Sequence, residues 1–325
     1  MPPRVSVVMP ARNAVPHAGG AIASVLAQTF DDFELVVVDD ASTDATRAIV
    51  ESFATADERV RVVDGPGSGV AAARNRGIEA AGAPLIAFCD ADDVLLPPHL
   101  AALVEAAGDV CDDVIVTANA YWLFDGGIDQ RKTRHRGRFP APEQQRKAIL
   151  EQNFVSTMAL FPRQLVDRIG PFATDLTHAE DWHFWMRAVF AGVEVRHQPR
   201  PLALYRWGTG LSADAGAMDA AVAEVLRRAL VELPLRVDER AYVEARLAQP
   251  SPQSLTRQAD EALHAGRWSV AGAAYRKAAA LVPSEAPLVW KARLLRVAPP
   301  VTGPLLRRQM QAADRRRGTP HGRQR

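Results

Sequence analysis

Cysteine is nearly missing from this chain, which has two, Cys89 and Cys111, among 325 residues. Both fall in apolar or strand-like surroundings. That argues against a disulfide-stapled extracellular scaffold and predicts buried free thiols in a reducing compartment. An excess of charge of either sign is missing too, since 39 Lys and Arg face 38 Asp and Glu. A formal charge of +1 offers no general surface for a polyanion, so nucleic acid is not an expected partner. No apolar run is long enough to cross a bilayer. The opening MPPRVSVVMPARN holds one short strand-like run without a cleavage-like site, and the uncharged stretch from Asn13 to Phe30 is broken by Pro, His, Gly and Gln. A cytoplasmic location is expected, with a peripheral position at the cytoplasmic face of a membrane left open.

Two common phosphate-binding motifs are also missing. The first strand runs into MPARNAVP without the glycines of G-x-G-x-x-G, and Gly65, Gly67 and Gly69 come later and lack the third spacing. There is no Gly-Lys-Ser/Thr loop either. What is present is an alternation of two periods. Val5 to Met9, Phe33 to Val38, Val60 to Val63 and Leu85 to Cys89 read as strands. Between them, helices are expected over Ala18 to Gln28, from a cap at Ser42 or Asp44 to about Ala56, over Val70 to Ala81, and from Pro97 or Pro98 to near Gly108. Continuous apolar strands alternating with helices predict an α/β fold whose mostly parallel sheet is covered on both faces.

Further strands are expected over Val114 to Leu123, Ser156 to Phe161, Val193 to Arg196 and Leu202 to Trp207. The basic stretch from Asp125 to Pro142 reads as a charged loop, or as a flap over an anionic substrate. A helix over Ala179 to Ala191 carries Trp182, Trp185, Met186 and Val189 at helical spacing, a stripe that predicts core packing rather than a sugar platform.

With 48% hydrophobic residues the chain can bury one large core or two smaller ones. The expected division is a catalytic domain over 1–213, a helical domain over 214–306 and a basic, solvated tail over 307–325. Met218 to Leu230, Leu255 to Ala265 and Ser269 to Leu281 are the expected helices. Gly266, Ala271, Tyr275, Ala278 and Pro283 resemble a single tetratricopeptide-like helix pair. Such a tail is expected to pack on the catalytic unit or on a partner, and peripheral membrane or protein contact would run through it.

Acidic residues close two of the strands. VVVDDASTD places Asp39 and Asp40 after one strand, and PLIAFCDADD places Asp90, Asp92 and Asp93 after another. Open parallel sheets hold their ligands at the carboxyl ends of strands, so two acidic ends predict one shared crevice. Three carboxylates there suit a divalent cation held against a diphosphate.

Several motifs in order, VSVVMPARN, SVLAQTF, FELVVVDDASTDAT, SGVAAARNRGI, IAFCDADD and AEDWHFWMRA, make residues 4 to 212 resemble the family 2 glycosyltransferases, inverting enzymes of GT-A fold. The resemblance implies transfer of a monosaccharide from a nucleotide-diphosphate sugar, UDP foremost, to a saccharide or lipid-linked acceptor in envelope or capsular polysaccharide synthesis. It also implies Mn2+ or Mg2+ as cofactor. Pro10 and Arg12 match the nucleoside pocket, Asp40 the uracil contact, Asp39 a brace or ribose contact, and Arg74 a donor contact. Asp90 matches a ribose or water-mediated metal contact and Asp92 the direct metal ligand, with Asp93 as the alternative. Asp181, in the Glu180-Asp181 pair, matches the catalytic base.

The family often places a histidine shortly after a Tyr-Arg strand end, where LYRWGTGLSAD has Gly208. Either water, Arg206 or Ser212 is expected to take over that contact, or metal affinity is expected to be weak. Two other classes share these features, a donor-binding but inactive scaffold and a pyrophosphorylase-like sugar-nucleotide enzyme.

Overall fold

The computed structural model describes residues 2–108, 113–124, 127–135, 137–207, 215–281, 286–297 and 299–316. Cys111, Gly208, Ser212, Pro283 and the last nine residues lie outside them. The chain divides into two compact units, Met1–Val243 and Glu244–Arg325.

Among its described residues the first unit has nine strands, β1 (Val5–Ala11), β2 (Phe33–Asp39), β3 (Val60–Asp64), β4 (Leu85–Phe88), β5 (Val94–Leu95), β6 (Val114–Phe124), β7 (Gly127–Thr133), β8 (Leu160–Pro162) and β9 (Glu194–Arg206). Their order is β3-β2-β1-β4-β8-β6-β9-β5, with β7 paired to β6. The four strands β3, β2, β1 and β4 run parallel. Every residue of β1, β2 and β4 is buried, which is why these segments read as unbroken apolar runs. Beyond β4 the sheet is mixed. β8 is antiparallel to β4 and β6, β9 runs parallel to β6, and β5 is antiparallel to β9.

Three expectations change in this second half. The two strands expected around residues 193 to 207 are one strand, β9, whose pairing with β6 slips in register near Asn119. The basic segment expected as a loop contains β7, which folds back antiparallel on β6. Of the strand expected over Ser156 to Phe161, only β8 pairs; Ser156 and Thr157 belong to the loop before it.

Nine helices accompany this sheet among the described residues, α1 (Ala18–Leu26), α2 (Thr46–Ala56), α3 (Val70–Ala80), α4 (His99–Ala107), α5 (Gln145–Glu151), α6 (Leu165–Ile169), α7 (Glu180–Phe190), α8 (Ala215–Glu232) and α9 (Val237–Leu247). The stripe on α7 is core: Trp182, Trp185, Met186 and Val189 are all buried, and Trp185 packs edge-on to Phe161. The division between units falls within α9 rather than after Ala213. A hydrogen bond between Glu232 and His183 at 2.8 Å and an ion pair between Glu239 and Arg146 at 2.7 Å hold α8 and α9 in the first unit.

The second unit continues with α10 (Pro252–His264), α11 (Trp268–Leu281), α12 (Ala286–Val297) and α13 (Pro299–Arg316). Ser251 caps α10 by accepting a hydrogen bond from the Ser254 N–H at 2.9 Å. Gly266 turns the chain between α10 and α11 at φ +74°, a left-handed conformation that favours glycine. Ala259, Ala262 and Leu263 of α10 meet Ala271, Ala274 and Tyr275 of α11, and Ala292, Leu295 and Leu306 complete that core. Small residues let the paired helices approach closely. The chain stays helical through Arg316, although its composition turns polar and basic from Arg307.

Candidate functional site

The exits of β1 and β2 are tied together. Asn13, left-handed at φ 50°, accepts the Thr43 N–H at 2.8 Å through Oδ1, and its own N–H donates to Ser42 Oγ at 3.1 Å. Asp40 lies just beyond β2. Its Oδ1 accepts the Gly67 N–H at 2.7 Å and its Oδ2 the Gly69 N–H at 2.9 Å. Gly67 and Gly69 have φ of +70° and +100°, so the glycine run that lacks a phosphate-loop spacing instead wraps the Asp40 carboxylate. Arg12 Nη1 stands 3.9 Å from Asp40 Oδ2. Asp39 turns elsewhere, accepting the Ser42 N–H at 3.4 Å and facing Arg47 at 3.8 Å, so it braces the loop.

Arg74 of α3 joins the acidic strand end to the Glu-Asp pair. Its Nη2 donates to both Asp90 oxygens, at 2.9 and 3.1 Å, and its Nη1 to Glu180 Oε1 at 2.5 Å. The guanidinium is buried over the Phe88 and Phe172 rings. Beyond Asp90 the compensation runs short. Asp93 Oδ1 accepts the Arg206 N–H at 2.8 Å, while its buried Oδ2 has no hydrogen-bond partner among the described residues. Burial, reinforced by Asp90 and Asp92, pushes the Asp93 carboxyl well above the usual carboxylate range. Asp92 is pushed up to about 6 by burial and by the Asp90 charge. Arg206 Nε donates to the Asp92 carbonyl at 3.0 Å.

Asp181 stands in the first turn of α7, after the left-handed Ala179 at φ 56°. Its Oδ2 accepts from Asn153 Nδ2 at 2.9 Å and from Thr157 Oγ1 at 3.4 Å, and its Oδ1 takes the Trp182 N–H at 2.7 Å. Glu180 and Asp181 diverge, as adjacent helical positions must. Burial raises the Glu180 carboxyl against the pull of Arg74.

One cavity of about 660 Å³ is lined by Pro10, Arg12, Asp40, Arg74, Asp90, Asp92, Asp93 and Asp181. Of the described residues expected at the site, Asp39 alone is not on its wall. His178 lines the cavity, whereas His183 faces Glu232 and Trp182 is buried, donating from Nε1 to the Ile149 carbonyl at 2.7 Å. Thr157, Tyr205, His17 and Met218 also line it without having been expected. Asn153, which holds Asp181, carried no motif that could have marked it.

A divalent cation fits the acidic end of this cavity. Crowded carboxylates, one with an orphaned buried oxygen, call for positive charge, and hard oxygen donors suit Mg2+ or Mn2+. Among the described residues no group of three or more His, Cys, Asp or Glu side chains is arranged to hold a metal alone. Diphosphate and water oxygens would have to complete the coordination.

A parallel sheet that turns mixed, with its site at the strand ends, is the GT-A fold of glycosyltransferases. The model for glycosyl transferase family 2 matches residues 6–170, and the chain belongs to that family. It is 32% identical over 209 residues to EpsH of Bacillus subtilis (strain 168), a protein assigned to the glycosyltransferases; the match covers 63% of this chain and 61% of EpsH. It is 28% identical over 185 residues to the UDP-Glc:α-D-GlcNAc-diphosphoundecaprenol β-1,3-glucosyltransferase WfgD of Escherichia coli, covering 56% of this chain and 68% of WfgD. Among solved structures, the mannosyltransferase PcManGT of Pyrobaculum calidifontis, in complex with GDP-Man and Mn2+, superposes with a TM-score of 0.61 at 20% identity, over 94% of this chain and 87% of its own.

Proposed function

We propose that this protein is an inverting, cation-assisted glycosyltransferase moving a hexosyl or N-acetylhexosaminyl group from a UDP-sugar to a saccharide or lipid-linked acceptor in polysaccharide synthesis. The reading is carried by one observation, the convergence of Asp40, Asp90, Asp92, Asp93 and Asp181 on one cavity. WfgD, whose name gives a UDP-sugar donor and a lipid-diphosphate acceptor, supports the substrate classes. Such an acceptor would be met at the cytoplasmic face of a membrane. No helix among the described residues is long and apolar enough to cross one.

In this mechanism each Asp40 oxygen, already holding one loop N–H, keeps lone-pair capacity for the uracil N–H. Pro10 and Arg12 close the nucleoside side of the pocket. Asp92 and Asp93 would hold Mn2+ or Mg2+, with Asp90 nearby; when bound, the cation neutralises charge on the diphosphate leaving group. Arg74 keeps Asp90 and Glu180 in position. Asp181 removes the acceptor hydroxyl proton while that oxygen attacks the anomeric carbon from the face opposite the diphosphate. The new C–O bond forms as the old one breaks, its electron pair leaving with the nucleoside diphosphate.

A panel of nucleotide sugars incubated with the protein, Mn2+ and saccharide acceptors tests this reading. Acceptor-dependent release of nucleoside diphosphate is expected. Consumption of nucleoside triphosphate with release of pyrophosphate would contradict it and favour a pyrophosphorylase.

A further inference from the structure

The last two helices of the second unit have apolar residues on both of their sides. Inward, Ala292 and Leu295 of α12 and Leu306 of α13 are buried, and Gly303 packs so closely on Trp268 that a Cβ there would meet its ring at 2.5 Å. The core is satisfied by these contacts. Outward, Trp290 and Val297 of α12 are 51% and 84% exposed, and Val301 and Leu305 of α13 are 65% and 56% exposed. Trp290 and Val297 are seven residues apart and so share one stripe of α12; Val301 and Leu305 are four apart and share one stripe of α13. A helix with apolar residues all round normally has a partner on each side.

Charge narrows the choice of partner. From 286 to 316 the sequence carries seven Lys and Arg against one acid, Asp314, in a chain of formal charge +1. Arg293 and Arg296 stand on the outward side of α12, and Arg308 follows Leu305 by one turn on α13; all three are exposed. A second copy of this chain would oppose like charge to like. A nucleic acid would match the guanidinium groups but leave Val297, Val301 and Leu305 in water. A bilayer surface with acidic headgroups satisfies both, taking the apolar side chains at the acyl boundary and the guanidinium groups at the phosphates.

We propose that α12 and α13 form a docking face for an anionic phospholipid bilayer. The proposal goes beyond the catalytic reading and does not depend on it. It would place the enzyme on the surface where a lipid-linked acceptor resides.

The full chain should be sedimented with vesicles of phosphatidylglycerol and phosphatidylcholine in equal parts, and with phosphatidylcholine alone. Binding to the mixed vesicles, lost at high salt and weak on neutral ones, is expected. Replacing Arg293, Arg296 and Arg308 together by Gln should weaken it about a hundredfold, since each basic group near such a surface is worth a factor of about five. Trp290→Ser with Leu305→Ser should weaken it at least about tenfold. Circular dichroism checks that both variants are folded, and their vesicle binding is read independently of turnover. Absence of binding to the mixed vesicles overturns the proposal, as does binding untouched by both variants. Self-association abolished by Trp290→Ser, without vesicle binding, assigns the face to a second copy and overturns it too.

Discussion

Replacing Asp92 by Asn should stabilise the protein in the absence of divalent cations while removing its response to them. The Asp92 carboxyl moves from 3.8 to about 6, first through burial and then through the Asp90 charge. A folded-state value above the unfolded one means that folding favours the protonated form. Stability from this group is therefore present below pH 3.8 and lost as pH rises through about 6. At pH 7 the ionised carboxylate costs up to about 3 kcal/mol, from roughly two units at 1.36 kcal/mol each. Its neighbours Asp90 and Asp93 share the same field, so a gain of about 1–3 kcal/mol is expected for Asp92→Asn at pH 7. Urea unfolding in chelator, followed at pH 7 and near pH 4, measures it. The gap between variant and wild type should narrow at the lower pH. With Mn2+ and UDP the order should reverse, because the wild type gains stability by mass action and the variant does not. A variant no more stable than wild type in chelator, or equally stabilised by Mn2+ and UDP, would refute the placement of excess negative charge at Asp92.

Other perturbations probe the remaining parts of the site. Arg74→Met should destabilise the fold by about 3–5 kcal/mol, measured by chemical denaturation, because it leaves the buried Glu180 carboxylate unpaired. Adding Glu180→Gln should recover much of that loss. Asp40→Ala should weaken UDP binding by about 1.5–3 kcal/mol in calorimetric titration, the worth of a hydrogen bond to a charged group. Asp181→Asn should keep donor affinity yet lose about 100-fold to 10,000-fold in kcat by steady-state kinetics. A chain ending after Leu247 should retain UDP binding, whereas one ending after Ala213 should melt at lower temperature, since it loses the Glu232–His183 hydrogen bond and the Glu239–Arg146 ion pair.

The parts legible in sequence were those whose signal is local. β1, β2 and β4 are buried along their whole length, so their apolar runs stood out, as did the acids that end β2 and β4. β7 did not, because GIDQRKT is largely polar and owes its strand to backbone pairing with β6. The basic end of α13 read as solvated, yet solvation does not oppose a helix rich in Arg, Gln and Ala. The link least visible was Arg74 to Glu180, since 106 residues separate the partners. Spacing predicted that Glu180 and Asp181 would diverge, but not that Glu180 would turn to Arg74. Asn153 and Thr157 were hidden for a related reason: they reach Asp181 from the loop before the three-residue β8, Asn153 without any pattern and Thr157 from a segment that reads as strand.

Inverting transfer is tested most directly by proton nuclear magnetic resonance of the first product formed from an α-configured UDP-sugar. The anomeric coupling should report a β-linked product, appearing in step with free UDP and only when acceptor is present. An α-linked product from the same donor would contradict single displacement across this cavity, and with it the assignment of Asp181 as the base facing the acceptor.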